Sequence, residues 1–468
     1  MEPSHSNAKR RLLYISYIFP PSGGVGAPRA ANFAKYFPQY VERFCVLTVS
    51  NPATPVHDPA LLKKVAPETT VYRTYHPSVP YAFRDRIWKK LSPPRFRETV
   101  EPSSPSLVRK LARPLQWAAR QIIQRILCPD AMVTWVPFAR RKAEEIIQRE
   151  RIDTVILNSP PYSSLMIGCH LKKRFPHLRL VTEIRDDWVG YYLVYFDAST
   201  TEYKRRLAVR TEAEAIRLSD YVTAVTPAQR DAIRNRYPQE PDEKFFCVPN
   251  GYDPEQYAAF RWTPRRGRKM LITYFGSAYT SVPYSPRDYL ETVDNLPDAL
   301  RDRIETRFIG RVSHEARPLL ENRRHTVTQL GFLPQQEAIL RLQDSDYLLL
   351  VIGEASSHAG KLFDYLASGI PILGITPRGG EAARILDATR CGRYARTGDR
   401  EDIERMIRQA LSDFDNGTNP TAPVREEIEQ FSWPRLVRLL ATKAGIAPLA
   451  DTPAQTVLPM NPPFSRGC

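Results

Sequence analysis

Lys361, Asp364 and Tyr365 stand three and four positions apart in the segment HAGKLFDYLASGIPIL, His358 to Leu373. On a helix this spacing stacks them on one face, with a rise of about 5 Å per turn from the lysine to the carboxylate. Leu362, Phe363 and Leu366 are left to pack inward. A cation in the first turn opposes the positive end of the helix dipole unless an anion is held there. Backbone N–H groups and Lys361 could then grip one phosphate together, with Asp364 taking hydroxyl groups one turn further on. The same spacing also suits the solvated face of a short surface helix, so the surrounding elements decide.

Those elements read as α/β. Tyr347–Ile352 has the composition of a buried strand, residues 353–360 form a loop, and Lys361–Ser368 is a helix that ends at Gly369 and Pro371 before the strand Ile372–Ile375. Such a loop lies at the carboxyl end of a parallel strand, where open α/β sheets bind ligands. The chain opens in the same rhythm: strand Leu12–Ile18, glycine turn Pro21–Gly26, helix Pro28–Phe37, strand Phe44–Val49. Gly23 and Gly24 would let backbone approach a ligand closely, although an ordinary tight turn has the same composition. Strands at Thr154–Leu157, Leu180–Ile184, Tyr221–Val225 and Phe245–Val248 alternate with helices at Ser163–Arg174, Tyr203–Leu218 and Pro227–Tyr237. The turn Pro249–Pro254 and the basic stretch Arg261–Lys269 read as a linker. A second rhythm runs from Met270–Phe275 through Thr306–Ile309, Val327–Leu330 and Gln335–Gln343 to a helix at Arg400–Asp413, and Trp433–Ala444 is the last helix. The expected fold is thus two Rossmann-like parallel-sheet domains, 1–255 and 270–430, a terminal helix in 431–447, and a disordered proline-rich tail, 448–468.

Composition narrows the function classes. The 468 residues are 42% hydrophobic and 25% charged, as in globular enzymes. The six cysteines are scattered without C-x2-C spacing, which argues against a zinc site and suits reduced thiols in the cytosol. No stretch approaches 18 apolar residues, so a soluble or peripheral protein is expected. Net charge is +16, and residues 82–151 alone hold 16 Lys and Arg against 7 Asp and Glu. Apolar and cationic positions interleave there, most clearly from Leu107 to Leu127. That pattern suits an anionic membrane surface or simple packing onto the N-terminal domain; nucleic acid is disfavoured because no recognised module accompanies the charge. Gly24-Val-Gly26-Ala-Pro-Arg29 begins a G-x-G-x-x-G pattern but has arginine at the third glycine, which disfavours a dinucleotide oxidoreductase.

HAGKLFDYLASGIPILGI resembles the K-L-F-E-Y-L-A-x-G-x-P-I-L element of the family 4 GT-B glycosyltransferases, and four further segments resemble that family in order: Tyr17 to Arg29 with Ala34-Lys35-Tyr36, Glu183-Ile-Arg-Asp-Asp-Trp188, Val248-Pro-Asn-Gly-Tyr-Asp253, and Phe431-Ser-Trp433, which leads into a helix crossing back to the N-terminal domain. The resemblance implies retaining transfer of a sugar from a nucleotide-diphosphate sugar to a glycan or lipid-linked acceptor, without a cofactor or required metal, in bacterial surface polysaccharide synthesis, in the cytoplasm or peripherally on the inner face of the membrane. It implies that Lys361 contacts the diphosphate and Asp364 the ribose, with Gly360, Leu333, Gly380 and Glu381 also at the nucleotide. Arg311 would supply a second positive charge and His358 would stand near the donor sugar. Gly23, Gly24, Arg29, Arg185 and Asp186 would face the acceptor. Two departures stand out. Ser356 occupies the place of the first acid of the family's E-x7-E pair, with Glu354 able to replace it only if the loop is rearranged. The loop Phe275-Gly-Ser-Ala-Tyr279 lacks the usual cations. Nucleotide-sugar 2-epimerases of the same architecture and a non-catalytic binding subunit are the competing readings.

Overall fold

The computed structural model describes residues 10–24, 26–53, 56–77, 125, 127–193, 201–263, 269–278 and 285–447. Two sheets organise them. The first contains β1 (Arg11–Ile15), β2 (Arg43–Val49), β3 (Thr70–Thr74), β4 (Thr154–Ser159), β5 (Arg179–Ile184), β6 (Tyr221–Ala224) and β7 (Phe245–Cys247), in the order β3-β2-β1-β4-β5-β6-β7. The second contains β8 (Met270–Phe275), β9 (Ile304–Ile309), β10 (Thr326–Gly331), β11 (Tyr347–Val351), β12 (Ile372–Thr376) and β13 (Gly392–Arg396), in the order β10-β9-β8-β11-β12-β13. All named strand pairs are parallel. This is the GT-B architecture of two facing Rossmann-like domains.

The main helices are α1 (Ala27–Tyr36), α2 (Val136–Arg149), α3 (Leu165–Arg174), α4 (Glu202–Leu218), α5 (Pro227–Arg236), α6 (Arg287–Asp294), α7 (Gln335–Leu342), α8 (Lys361–Ser368), α9 (Glu381–Thr389), α10 (Arg400–Asn416) and α11 (Trp433–Lys443). They cover both faces of each sheet, which is why the central strands are apolar without alternation. Leu13, Ile15 and Leu157 pack with Ala139 and Ile146 of α2 and Leu165 of α3 on one face. Leu12, Tyr14 and Ile156 pack on the other with Phe33 of α1 and Leu436, Val437 and Leu440 of α11. The last helix therefore crosses back and completes the N-terminal core; each such buried side chain contributes about 1.5–3 kcal/mol. The two crossing segments bind each other: Tyr252 N–H donates to Phe431 O (3.0 Å) and Trp433 N–H to Tyr252 O (2.9 Å).

In each sheet the strand order reverses beside the first strand, between β1 and β4 and between β8 and β11. A crevice opens there at the carboxyl ends, and it is the place where such sheets hold ligands. Expectation and structure differ in five elements. The strands β3 and β13 are half-exposed edge strands with no apolar run to announce them. The helix α2 lies in the basic stretch, where charges mask its stripe of Ala139, Ala143, Ile146 and Ile147. The helices α6 and α9 were not foreseen. Nearly all of Leu107 to Leu127 and the whole tail 448–468 lie outside the described residues.

Candidate active site

The loop after β11 delivers α8 to the second crevice. Its first residue, Lys361, is partly accessible at its stem, but its ammonium is buried and has no hydrogen-bond partner among the described residues. The Nζ sits 3.4 Å from the ring centroid of Tyr274, at the end of β8. Burial lowers its pKa to about 7. A Cβ added at Gly276 would lie 3.6 Å from Nζ, and at Gly310 it would collide with the Gly276 backbone. Both glycines have positive φ, 115° and 138°. The turns after β8 and β9 therefore cross in contact and bring bare backbone up to the ammonium. An uncompensated buried cation is costly without an anion, so the arrangement is built to receive one.

Asp364, one turn on, does not pair with Lys361. Its Oδ1 accepts from Tyr257 Oη (2.8 Å), in the segment joining the domains. Burial raises its pKa to about 6, an effect that the Tyr257 hydrogen bond and the charge of Lys64 partly offset. Lys64 itself lies on Gln256 (2.7 Å) and Asp253 (3.3 Å), which ties the first domain to this edge of α8. Tyr365 corrects the sequence reading: it is fully buried, its hydroxyl accepts from Phe275 N–H (2.9 Å) and donates to Leu349 O (3.2 Å), and it belongs to the core rather than to the polar face. Tyr274 and Tyr257, the two neighbours that set the state of the charged pair, left no local trace in the sequence.

The loop before α8 is where the missing acid returns. Glu354 folds back so that Oε1 accepts from Ser356 N–H (3.0 Å) and Ser356 Oγ (2.6 Å). Its Oε2 is buried without a partner. A carboxylate thus stands against the serine that replaces the family's acid. His358 is buried edge-on against Phe363, and its Nε2 lies 2.8 Å from Val225 O, just past β6 in the other domain. A carbonyl only accepts, so Nε2 carries the proton. Burial lowers the ring's pKa to about 4, and Nδ1, buried and without a partner, is an acceptor. His358 is therefore no proton donor near neutral pH, which corrects a catalytic reading that needs an acid.

Other residues expected at the nucleotide divide. Gly360 begins α8 and is exposed, Leu333 is half-buried against the second core, and Gly380 is buried against Ala355. Arg311 is exposed, and its carbonyl accepts from Ala278 N–H (2.8 Å) beside the Gly276–Gly310 crossing. Glu381 turns away from α8: its Oε1 accepts from Ala228 N–H (3.0 Å) in the first turn of α5, across the domain boundary. It acts with Thr226, whose hydroxyl donates to Ser356 O (2.7 Å), and with His358 in joining the walls.

On the N-terminal wall, Gly23 and Gly24 follow β1, with Gly23 close against Val56 and Asp58. Arg29, expected at the acceptor, is a correction. It is 2% exposed, and its guanidinium binds Glu183 (2.8 and 2.6 Å), Val248 O (3.0 Å) and Pro249 O (2.7 Å) between the rings of Phe33 and Trp433. All its capacity goes to holding α1, β5, the crossing segment and α11 together. Arg185 is buried beside Gly26, with a contact of only 3.4 Å to Pro160 O and an Nε that lacks a partner. Asp186 is open to water yet closely ringed by protein, which raises its carboxyl above the usual range against the pull of Arg185. Among the described residues no group of three or more His, Cys, Asp or Glu is arranged to hold a metal, and no helix is long and apolar enough to cross a membrane.

The fold recurs in solved structures. HepE of Anabaena, in complex with UDP and glucose, superposes with a TM-score of 0.58 at 13% identity over 92% of this chain and 98% of its own. Sucrose-phosphate synthase of Thermosynechococcus elongatus gives 0.57 at 12% identity over 92% and 98%. The N-terminal domain of trehalose-6-phosphate phosphatase of Candida albicans gives 0.59 at 9% identity over 95% and 98%. No curated protein sequence matches significantly. These likenesses establish the GT-B fold. Residues 109–256 match the family Glycosyltransferase Family 4, and the chain is a GT-B protein of that glycosyltransferase family.

Proposed function

We propose that this chain transfers a glycosyl group, with retention, from a nucleoside-diphosphate sugar to a glycan or lipid-linked acceptor. The observation that carries this reading is the buried, unpartnered Lys361 ammonium at the first turn of α8, with the Asp364 carboxylate one turn on. Negative charge grows on the leaving diphosphate as the glycosidic bond breaks. A cation already stripped of water and already in place stabilises it without reorganisation. Binding moves Lys361 from the Tyr274 ring onto the diphosphate, while Asp364 takes the ribose hydroxyls and Arg311 adds charge from the rim. Glu354, held on Ser356, stands in for the absent family acid at the sugar. The diphosphate itself takes the acceptor proton, and no metal is required.

The setting we infer is surface polysaccharide synthesis at the inner face of the membrane. Support comes from the basic stretch, where α2 exposes Phe138 and Arg141 side by side with further cations.

Calorimetry with UDP and UDP-glucose, the ligands of the HepE structures, followed by other nucleoside diphosphates, tests the reading. The parent should bind one of them, unchanged by EDTA, and Lys361→Ala and Asp364→Ala should each weaken it. If both variants bind like the parent, the nucleotide site lies elsewhere. Epimer formation from a nucleotide sugar without acceptor would replace transfer by isomerisation.

A further inference from the structure

The first sheet reverses order between β1 and β4, and Arg185, just past β5, lies at that switch point against the turn after β1. A Cβ on Gly26 would stand 2.5 Å from Nη1, 3.0 Å from Nη2 and 3.1 Å from Cζ. The guanidinium is therefore laid on Gly26, the N-cap of α1. No side chain caps this ten-residue helix and its first turn holds no acid. The positive end of a helix and a buried guanidinium have been brought together, an arrangement that repels unless an anion sits between them.

The structure supplies no internal anion. Arg185 is 8% exposed, forms no ion pair among the described residues, leaves Nε without a partner, and touches one carbonyl, Pro160 O, at 3.4 Å. Glu183 is spent on Arg29 and on Asn158. Asp187 is held by Arg236 and by Gly190 N–H. Asp186 is adjacent in sequence but does not come within ion-pair distance.

We propose that Arg185 and the uncapped start of α1 form an oxyanion subsite on the N-terminal wall that takes a phosphoryl group. Helix N–H groups and a guanidinium fork suit the oxygens of a phosphate. The proposal rests on the transferase reading for its meaning. The group belongs either to the acceptor, which is then a phosphorylated glycan or lipid, or to the donor diphosphate when the cleft is filled.

The test titrates inorganic phosphate into the full chain, followed by calorimetry. Binding should survive Lys361→Ala and fall at least tenfold in Arg185→Gln, with Arg185→Lys in between because the charge stays and the fork is lost. Phosphate binding that is unchanged in Arg185→Gln, or that vanishes only in Lys361→Ala, overturns the subsite. If Arg185→Gln does not fold, Arg185→Lys decides: parent-like affinity overturns the proposal. Phosphate that still binds with saturating UDP assigns the group to an acceptor. Phosphate displaced by UDP, with UDP itself weakened by Arg185→Lys, assigns it to the donor. Failure of UDP to bind, with phosphate still dependent on Arg185, sinks the nucleotide reading and leaves the subsite.

Discussion

The two walls of the cleft keep their charges in opposite ways. On the C-terminal wall, Lys361 and Asp364 are held apart from any ion-pair partner, one on a tyrosine ring and the other under a tyrosine hydroxyl. On the N-terminal wall, Arg29 is saturated by groups 154 to 220 positions away, and a second arginine, Arg185, is left almost bare. A charge with its partners in place holds the fold, and a charge without them is available to a ligand. Both kinds look alike in a sequence. The difference between the walls is therefore a difference between cohesion and binding, and substitutions should separate the two.

The largest effect is expected at the cohesive charge. Arg29→Met leaves Glu183, 1% exposed, as an uncompensated buried carboxylate, and should cost about 3–5 kcal/mol in urea unfolding. Loss of less than about 1 kcal/mol would mean that Arg29 is not the clamp of this wall. The reverse outcome belongs to Lys361→Met. Transition-state stabilisation by one preorganised donor is typically about 10²–10³ in kcat, and a loss of that order in transfer is expected. The apo fold should nonetheless become more stable. The folded pKa, about 7, lies below the ordinary lysine value of 10.5, so the unfolded chain binds the extra proton between those limits. The penalty for the buried cation is complete below pH about 7 and gone above about 10.5. The stability gained on substitution should be large at pH 6 and shrink as pH rises. A variant destabilised at pH 6 would contradict the burial of an unpaired ammonium.

A smaller effect sharpens the C-terminal wall alone. UDP-glucose needs Lys361 charged, which is lost as pH rises through about 7, and Asp364 ionised, which is lost as pH falls through about 6. Affinity measured against pH should peak between those values and fall on both sides. Asp364→Asn should remove the acid limb and cost about 1.5–3 kcal/mol, the range for hydrogen bonds to a charged group. An unchanged acid limb in that variant would assign it to another carboxylate, Glu354 first.

Much of this was legible in the sequence where the information is local. The run from Tyr347 to Ile375 has a buried strand, a glycine stop and a second strand within one stretch, and α8 lies at Lys361–Ser368 as expected. Tyr365 escaped because the helical offset that groups it with Lys361 and Asp364 says nothing of the β8 backbone, to which its hydroxyl is bound 90 positions away. The edge strands escaped because half-exposed residues such as TVYRT carry no apolar signature. Glu354 was visible as a carboxylate two residues from its expected place, but only the fold of the loop shows its oxygen on Ser356.

Glu381 gives the smallest effect and the finest test of the contrast. The glycine pair before it assigned it to the nucleotide, yet its carboxylate caps α5 of the opposite wall. A carboxylate at a helix N-terminus contributes about 0.3–1 kcal/mol, and burial already raises this group's pKa. Glu381→Gln keeps an oxygen to accept from Ala228 and removes only the charge. Urea unfolding should therefore shift by no more than about 1 kcal/mol, while affinity for UDP-glucose stays within about twofold of the parent, since 1.4 kcal/mol is needed for tenfold. A tenfold loss of affinity with unchanged stability would return Glu381 to the nucleotide and make it a ligand-facing charge like Lys361. The opposite result makes it the counterpart of Arg29, a charge whose partner lies across the cleft and whose work is to hold the walls together.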